Sequence, residues 1–238
     1  MKKFLIAAVA LVMSGSAFAI DNEPEEGVTA QFNLGLTVSN IKDMPTNAKP
    51  GGTMGFKLEY MLPKAHGTYI NAGVDWIMRG AKKEGWAGYY IDGHDVEYEY
   101  TVKTNAHYLE IPIHVGFKYN IIPELGVFGE VGPYFAIGVG GKVKTEIDQD
   151  GLRDLESSYK TFKKSQSGFQ RWDAGLGFRV GAEYNQHYSL ALGCDWGFTD
   201  MYTNDFREAW AKDPDRMPGE RLGTPKNFSF VMTFGYRF

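Results

Sequence analysis

From residue 28 onward the chain alternates apolar and polar side chains in stretch after stretch of about ten residues. A period of two is the mark of β-strands, whose successive side chains point to opposite faces. Residues 28–38 put Val28, Ala30, Phe32, Leu34, Leu36 and Val38 on one face. A second stretch sets Met54, Phe56, Leu58, Tyr60 and Leu62 against Lys57 and Glu59. A third sets Ile70, Ala72, Val74, Trp76 and Met78 against Asn71, Gly73 and Asp75. In the fourth, His107, Leu109, Ile111, Ile113, Val115 and Phe117 oppose Glu110, Pro112, His114, Gly116 and Lys118. The fifth opposes Val127, Val131, Phe135, Ile137 and Val139 to Glu130, Gly132, Tyr134, Ala136, Gly138 and Gly140. The sixth runs from Trp172 to Tyr184, with Asp173, Gly175, Gly177, Arg179, Gly181 and Glu183 on its polar side. The seventh, from Tyr188 to Phe198, hides Ser189, Ala191, Gly193, Asp195 and Gly197 behind an aromatic-rich face. The last carries Phe228, Phe230, Met232, Phe234, Tyr236 and Phe238 opposite Asn227, Ser229, Thr233, Gly235 and Arg237, with Val231 breaking the polar row.

A soluble sandwich would also alternate. Here, however, the larger face is almost uninterrupted aliphatic and aromatic, while the smaller one is charged or tiny. That polarity suits lipid outside and a crowded lumen inside, and strands of about nine to eleven residues suffice to cross a bilayer. The pattern predicts an all-β, antiparallel, up-and-down transmembrane β-barrel of eight strands, or ten if residues 89–100 form a separate hairpin in the wall. Connections at 63–67, 120–124 and 185–187 are short, and those at 39–50, 79–103, 142–171 and 200–225 are long. Short periplasmic turns and long extracellular loops are the rule for such barrels, which puts both termini on the periplasmic side. Tyr60, Tyr69, Tyr119, Tyr184, Tyr188, Tyr236 and Phe238 are expected in a periplasmic aromatic girdle, and Trp76, Trp172, Trp196 and Phe198 in an outer one.

The first residues set the compartment. Lys2 and Lys3 precede an apolar run at 4–12, too short to span a bilayer as a helix, followed by Ser14, Gly15, Ser16 and the sequence Ala17-Phe18-Ala19. This order predicts a signal peptide over 1–19, cleaved on export, and a single barrel domain over 20–238 in the bacterial outer membrane. The remaining 219 of 238 residues carry a net charge of −6, against −4 for the whole chain, because the leader holds two lysines and no acid. An acidic chain is a poor ligand for phosphate backbones, so nucleic acid is not an expected partner. Cys194 is the single cysteine, so no internal disulfide forms.

Tyr108-Leu109-Glu110-Ile111-Pro112, Gly132-Pro133-Tyr134, Trp172-Asp173-Ala174-Gly175-Leu176-Gly177 and the closing Gly235-Tyr236-Arg237-Phe238 resemble the PorT-like outer-membrane β-barrel family, common in Bacteroidetes. The Leu-Glu-Ile-Pro segment is the most distinctive part. The resemblance spans nearly the whole exported chain and implies fold and location more than activity. One member group of that family serves a protein secretion system linked to gliding. The terminal Phe238 after an alternating strand also resembles the signal by which the barrel-assembly machinery recognises its clients.

The polar face gathers Lys57, Glu59, Asp75, Glu110, His114, Lys118, Glu130, Asp173, Arg179, Glu183, Asp195 and Arg237. In an eight-stranded barrel the interior is only wide enough for side chains to fill it, and charges so confined must pair. The reading is a lumen plugged by a charge network of Glu110, His114, Lys118, Glu130, Asp173, Arg179, Glu183 and Asp195, centred on Glu110, Glu130, Arg179 and Glu183. No catalytic set is recognised. His107 and His114 stand seven apart, so they face opposite ways and cannot share a metal. The Gly175-x-Gly177 run lies within a strand with no helix after it, unlike a dinucleotide loop. Asp148-Gln149-Asp150-Gly151 lacks the full register of a calcium loop. No cofactor and no enzyme activity are therefore expected. The strand-prone segment around Tyr89, Tyr90, Tyr98 and Tyr100 either binds a partner or packs on its own loops. The expected role is a closed barrel acting through its extracellular loops or as a subunit of an envelope or secretion complex. Its expected surroundings are outer-membrane lipid and lipopolysaccharide. A small-solute channel and a lipid-modifying outer-membrane enzyme are the rival readings.

Overall fold

The computed structural model describes residues 27–91, 94–147, 157–163, 168–212 and 222–238, and at 89–91 and 94–96 the backbone alone. The leader at 1–19 and the acidic run at 148–151 lie outside the described residues. Eight long strands form the wall: β1 (Gly27–Lys42), β2 (Asn47–Met61), β3 (Thr68–Ile91), β4 (His94–Ile122), β5 (Leu125–Ile147), β7 (Trp172–Tyr184), β8 (Tyr188–Gly197) and β9 (Lys226–Arg237). A short strand, β6 (Ser157–Lys160), flanks the upper end of β5. Each wall strand pairs antiparallel with its neighbours in sequence, and β9 returns to pair with β1 from Gln31↔Arg237 to Lys42↔Lys226. The sheet closes as a ring of eight, so no edge is left unpaired in the membrane.

The ten-strand alternative is excluded by the register. Beyond Lys82, which still pairs with Asn47 on β2, residues 83–91 and 94–102 pair with each other and with the top of β5, so they prolong β3 and β4 beyond the wall. The nine steps from Lys82 to Ile91 project about 30 Å of ribbon along the strand direction. The long loops are correspondingly shorter than expected. Only residues 43–46 separate β1 from β2, and part of the 200–225 stretch is a helix, α1 (Asn204–Ala211). Thr203 caps that helix, its hydroxyl accepting from the Phe206 N–H.

The outward face is the apolar one. Val28, Leu36, Phe56, Leu58, Val74, Ile111, Phe135, Leu190, Leu192, Phe230 and Phe234 are all exposed. In a soluble protein so continuous a patch would be a liability, whereas in a bilayer it is the contact with lipid. Tyr60, Tyr184, Tyr188, Tyr236 and Phe238 ring the end that holds the termini and short turns; Trp172, Trp196 and Phe198 lie at the other. Tyr69 does not join the girdle. The parity that sends Ile70 and Ala72 to lipid sends Tyr69 inward, where it is fully buried.

Tyr69 lies flat over Gly116, and a Cβ built there would stand 2.3 Å from the ring. Gly116→Ala should therefore destabilise the barrel by about 1–3 kcal/mol, the usual cost of overpacking. Urea unfolding in lipid vesicles measures this. An unchanged midpoint would mean that the Tyr69 ring is not held in place.

Candidate functional site

The lumen is organised in layers, and each layer draws on several strands. Nearest the periplasm, Lys118 on β4 donates to Glu59 on β2 and Glu183 on β7, both at 2.9 Å. Arg237 on β9 reaches the same two carboxylates at 2.8 and 2.6 Å. Two acids and two cations alternate around a square. Met61, Tyr69, Phe128 and Ala191 pack around it as an apolar cluster.

The middle layer is centred on Glu130. Its carboxylate accepts from Asn71 at 2.7 Å and from the Tyr69 hydroxyl at 2.9 Å, with Lys57 at 3.3 Å and His114 Nδ1 at 3.3 Å. Arg179 pairs with Asp195 at 2.7 Å on the neighbouring strands β7 and β8. Lys57, Asn71, Asp75, Glu110, His114, Glu130 and Arg179 line a cavity of about 50 Å³ here. That space admits a few waters among polar partners and nothing larger.

The upper layer turns on Arg79. Its guanidinium bonds Glu110, lies 3.2 Å from Asp173 and 3.4 Å from Asp195, and sits over the rings of Tyr134 and Tyr108 at 4.7 and 5.6 Å. Tyr134 and Asn227 also donate to Asp173, at 3.3 and 2.8 Å. Arg79 was expected at the start of a loop; it is 1% exposed and is the hub of the layer. Ile77, Ala106, Tyr108, Tyr134, Ala136, Phe162 and Val231 form an apolar cluster around it. Val231, the break in the polar row of the last strand, is thus a lumen side chain packed against other apolar groups.

The eight residues expected in one charge network all point into the lumen, but they divide among these layers. Glu110, Glu130 and Arg179 line the central cavity together, Glu183 lies apart from it, and the four make different ion pairs. Glu110 belongs with Arg79, Glu130 with Lys57 and His114, Arg179 with Asp195, and Glu183 with Lys118 and Arg237. No group of three or more metal-ligating side chains is found among the described residues.

Apolar side chains also gather at the extracellular mouth. Phe162, beyond β6, folds back over Gly138 and meets the Tyr108 ring edge-on at 5.5 Å. Ile41, Ala81 and Met201 form a further buried cluster, joined by Met44 and Phe169, and Phe169 stacks on Tyr202 at 5.7 Å.

Above the mouth stands the β3–β4 ribbon. Tyr100 folds against Gly85, so it packs within the ribbon itself. Trp86 is 71% exposed and pairs with Glu99 on the outward side. Tyr98 is partly buried, and the side chains of Tyr89 and Tyr90 lie outside the description. At the ribbon base, hydrogen bonds from Lys103 and then Lys144 hold the Glu146 carboxyl below its ordinary range.

No curated protein matches the sequence. Among solved structures, the chain is similar to Ail, the attachment invasion locus protein of Yersinia pestis, at 13% identity and a TM-score of 0.38, covering 90% of this chain and 100% of that one. It is similar to Neisserial surface protein A at 10% identity and a TM-score of 0.42, covering 90% and 98%. The outer membrane protein OprG of Pseudomonas aeruginosa gives 11% identity and a TM-score of 0.44, covering 91% and 98%. Residues 19–203 match the family model described as outer membrane protein beta-barrel domain. With its closed ring and lipid-facing band, the chain belongs to that family and resides in the bacterial outer membrane.

Proposed function

We propose that this protein is a closed, non-catalytic barrel that acts through what it presents outside the membrane. The β3–β4 ribbon would serve as a docking element for a protein partner in an envelope or secretion complex. The observation that carries this reading is the filled lumen. Among the described residues, three charged layers, two apolar clusters and the side chains at the mouth occupy the lumen, so the wall would serve as a mount. The ribbon offers a largely exposed tryptophan among glutamates, and aromatic side chains of this kind anchor interfaces. The PorT-like resemblance fits a subunit of a secretion apparatus. Cleavage after Ala19 and recognition of Phe238 by the assembly machinery complete the proposed route to the membrane.

Two measurements test the proposal. Purified barrel in planar bilayers should show no stepwise conductance at neutral pH; regular openings would favour the channel. Replacing residues 84–101 with a tight turn should leave a folded barrel that no longer retains the partner captured by the intact protein. Equal capture by both would remove the ribbon from the function. A changed lipid A species in a deletion strain would instead point to the lipid-modifying enzyme.

A further inference from the structure

Immediately above the apolar band, one side of the barrel carries a belt of outward-facing cations. The register places Asn105 on β4 opposite Lys142 on β5, and Lys142 opposite Lys160 on β6. Lys49 on β2 reaches across to bond the Asn105 side chain. One step higher, Lys82, Lys103 and Lys144 pair across β3, β4 and β5. That upper row is neutralised in part by Glu84 and Glu146. The lower row surrounds a groove of about 1010 Å³, lined by Met78, Asn105, His107, Val139, Phe162 and a cationic set of Lys142, Lys160, Lys163 and Arg171. Among the described residues no carboxylate lines it.

Among the described residues, Arg171 is held by neutral groups rather than by an acid. Its guanidinium donates to the Gly138 carbonyl at 3.0 Å and lies 5.7 Å from the Phe162 ring, so its charge is positioned by neutral groups. Burial, and then the charge of Lys103, pull the Lys49 ammonium below its ordinary value. The groove owes its shape to the backbone. The pairing of β4 with β5 shifts between His107 and Tyr108, leaving Val139 as an extra residue. Gly141 follows at φ +138°, where a Cβ would strike the Asn105 carbonyl at 2.2 Å.

Depth fixes the chemistry of the occupant. Trp172, next to Arg171, is 65% exposed on the lipid face, and Trp76 stacks on His107 at 5.3 Å just below the groove. Tryptophan marks the headgroup level. Below lie Leu109, Ile111 and Phe135, which suit acyl chains. We propose that this groove binds the phosphorylated headgroup of an outer-leaflet lipid, with Lys142, Lys160 and Arg171 on the phosphate and the acyl chains along β4 and β5. The site is independent of the ribbon and of any protein partner.

The test uses the whole mature barrel in detergent, titrated with three probes: diphosphorylated lipid A, the same lipid after phosphatase treatment, and inorganic phosphate. The diphosphorylated form should bind at least tenfold more tightly than either of the others. Lys142→Gln with Lys160→Gln should remove about tenfold of that affinity, since each basic residue near a charged lipid surface contributes appreciably. A second variant fills the groove instead of discharging it. A Cβ at Gly140 meets nothing within 4 Å, so Gly140→Phe should fold normally and abolish the preference. Equal binding of the phosphatase-treated lipid would overturn the proposal. So would equal binding of free phosphate, or wild-type affinity in both variants when folding is confirmed by heat-modifiable gel migration.

Discussion

Arg79→Ala should lower the unfolding free energy of the barrel by about 3–5 kcal/mol, the usual consequence of removing one member of a buried ionic cluster. The side chain is 1% exposed and faces Glu110, Asp173 and Asp195. Its removal leaves three carboxylates directed at one vacated space, with Arg179 still on Asp195 but no cation between Glu110 and Asp173. It also withdraws the group over Tyr134 and Tyr108 and so opens a void among the apolar side chains of the upper lumen. The measurement is urea unfolding in vesicles followed by tryptophan fluorescence, with gel migration as the check on folding. Arg79→Met combined with Glu110→Gln, Asp173→Asn and Asp195→Asn should recover most of the loss, because charge and counter-charge leave together. A loss below about 1 kcal/mol for Arg79→Ala would show that water reaches the layer and screens it, contrary to a plugged lumen.

The residues that escaped sequence reading have a common physical origin. Lipid exposure imposes a strict apolar rule on the outer face, so that face is legible in every strand, and closure and strand order follow from it. The lumen face obeys no such rule. It accepts charge, glycine, tyrosine or a packed aliphatic, provided that volumes and partners match. Arg79 was hidden because Ile77, an apolar residue in the inward row, breaks the third strand's alternation just before Met78. Two residues on, at the same parity, stands Arg79. Tyr69 was assigned to the girdle by residue type against the parity of its own strand. Phe162 enters the mouth from beyond the wall, and periodicity carries no information about such a side chain. The cationic groove was invisible for the same reason. Its residues come from β3, β4, β5, β6, the residues just after β6 and the segment before β7, and a bulge at Val139 sets their spacing. The lumen charges were legible as a list, but their division into layers depends on stagger between strands, which the alternation of one strand does not encode.

The square at the periplasmic end offers the second large effect, and its form is non-additive. Lys118 and Arg237 each touch both Glu59 and Glu183, at distances between 2.6 and 2.9 Å. Lys118→Met leaves Arg237 bridging the two acids, and Arg237→Met leaves Lys118 doing so. Each single change should therefore cost about 1–3 kcal/mol, within the range for loss of hydrogen bonds to charged groups. Removing both leaves two buried carboxylates facing one another. Among the described residues the next cation is Lys57 of the middle layer, 4.0 Å from Glu59 and already committed to Glu130. The double variant should consequently lose more than the sum of the singles, with a coupling energy of about 1–3 kcal/mol measured by a double-mutant cycle in vesicles. Adding Glu59→Gln and Glu183→Gln to the double variant should restore much of the stability, since buried ionic groups are often dispensable when removed as a complete set. Simple additivity would mean that the two cations act on separate acids and that the square is not a single unit. In that case the periplasmic end of the lumen would be a pair of independent ion pairs, far easier to open than a closed ring of four.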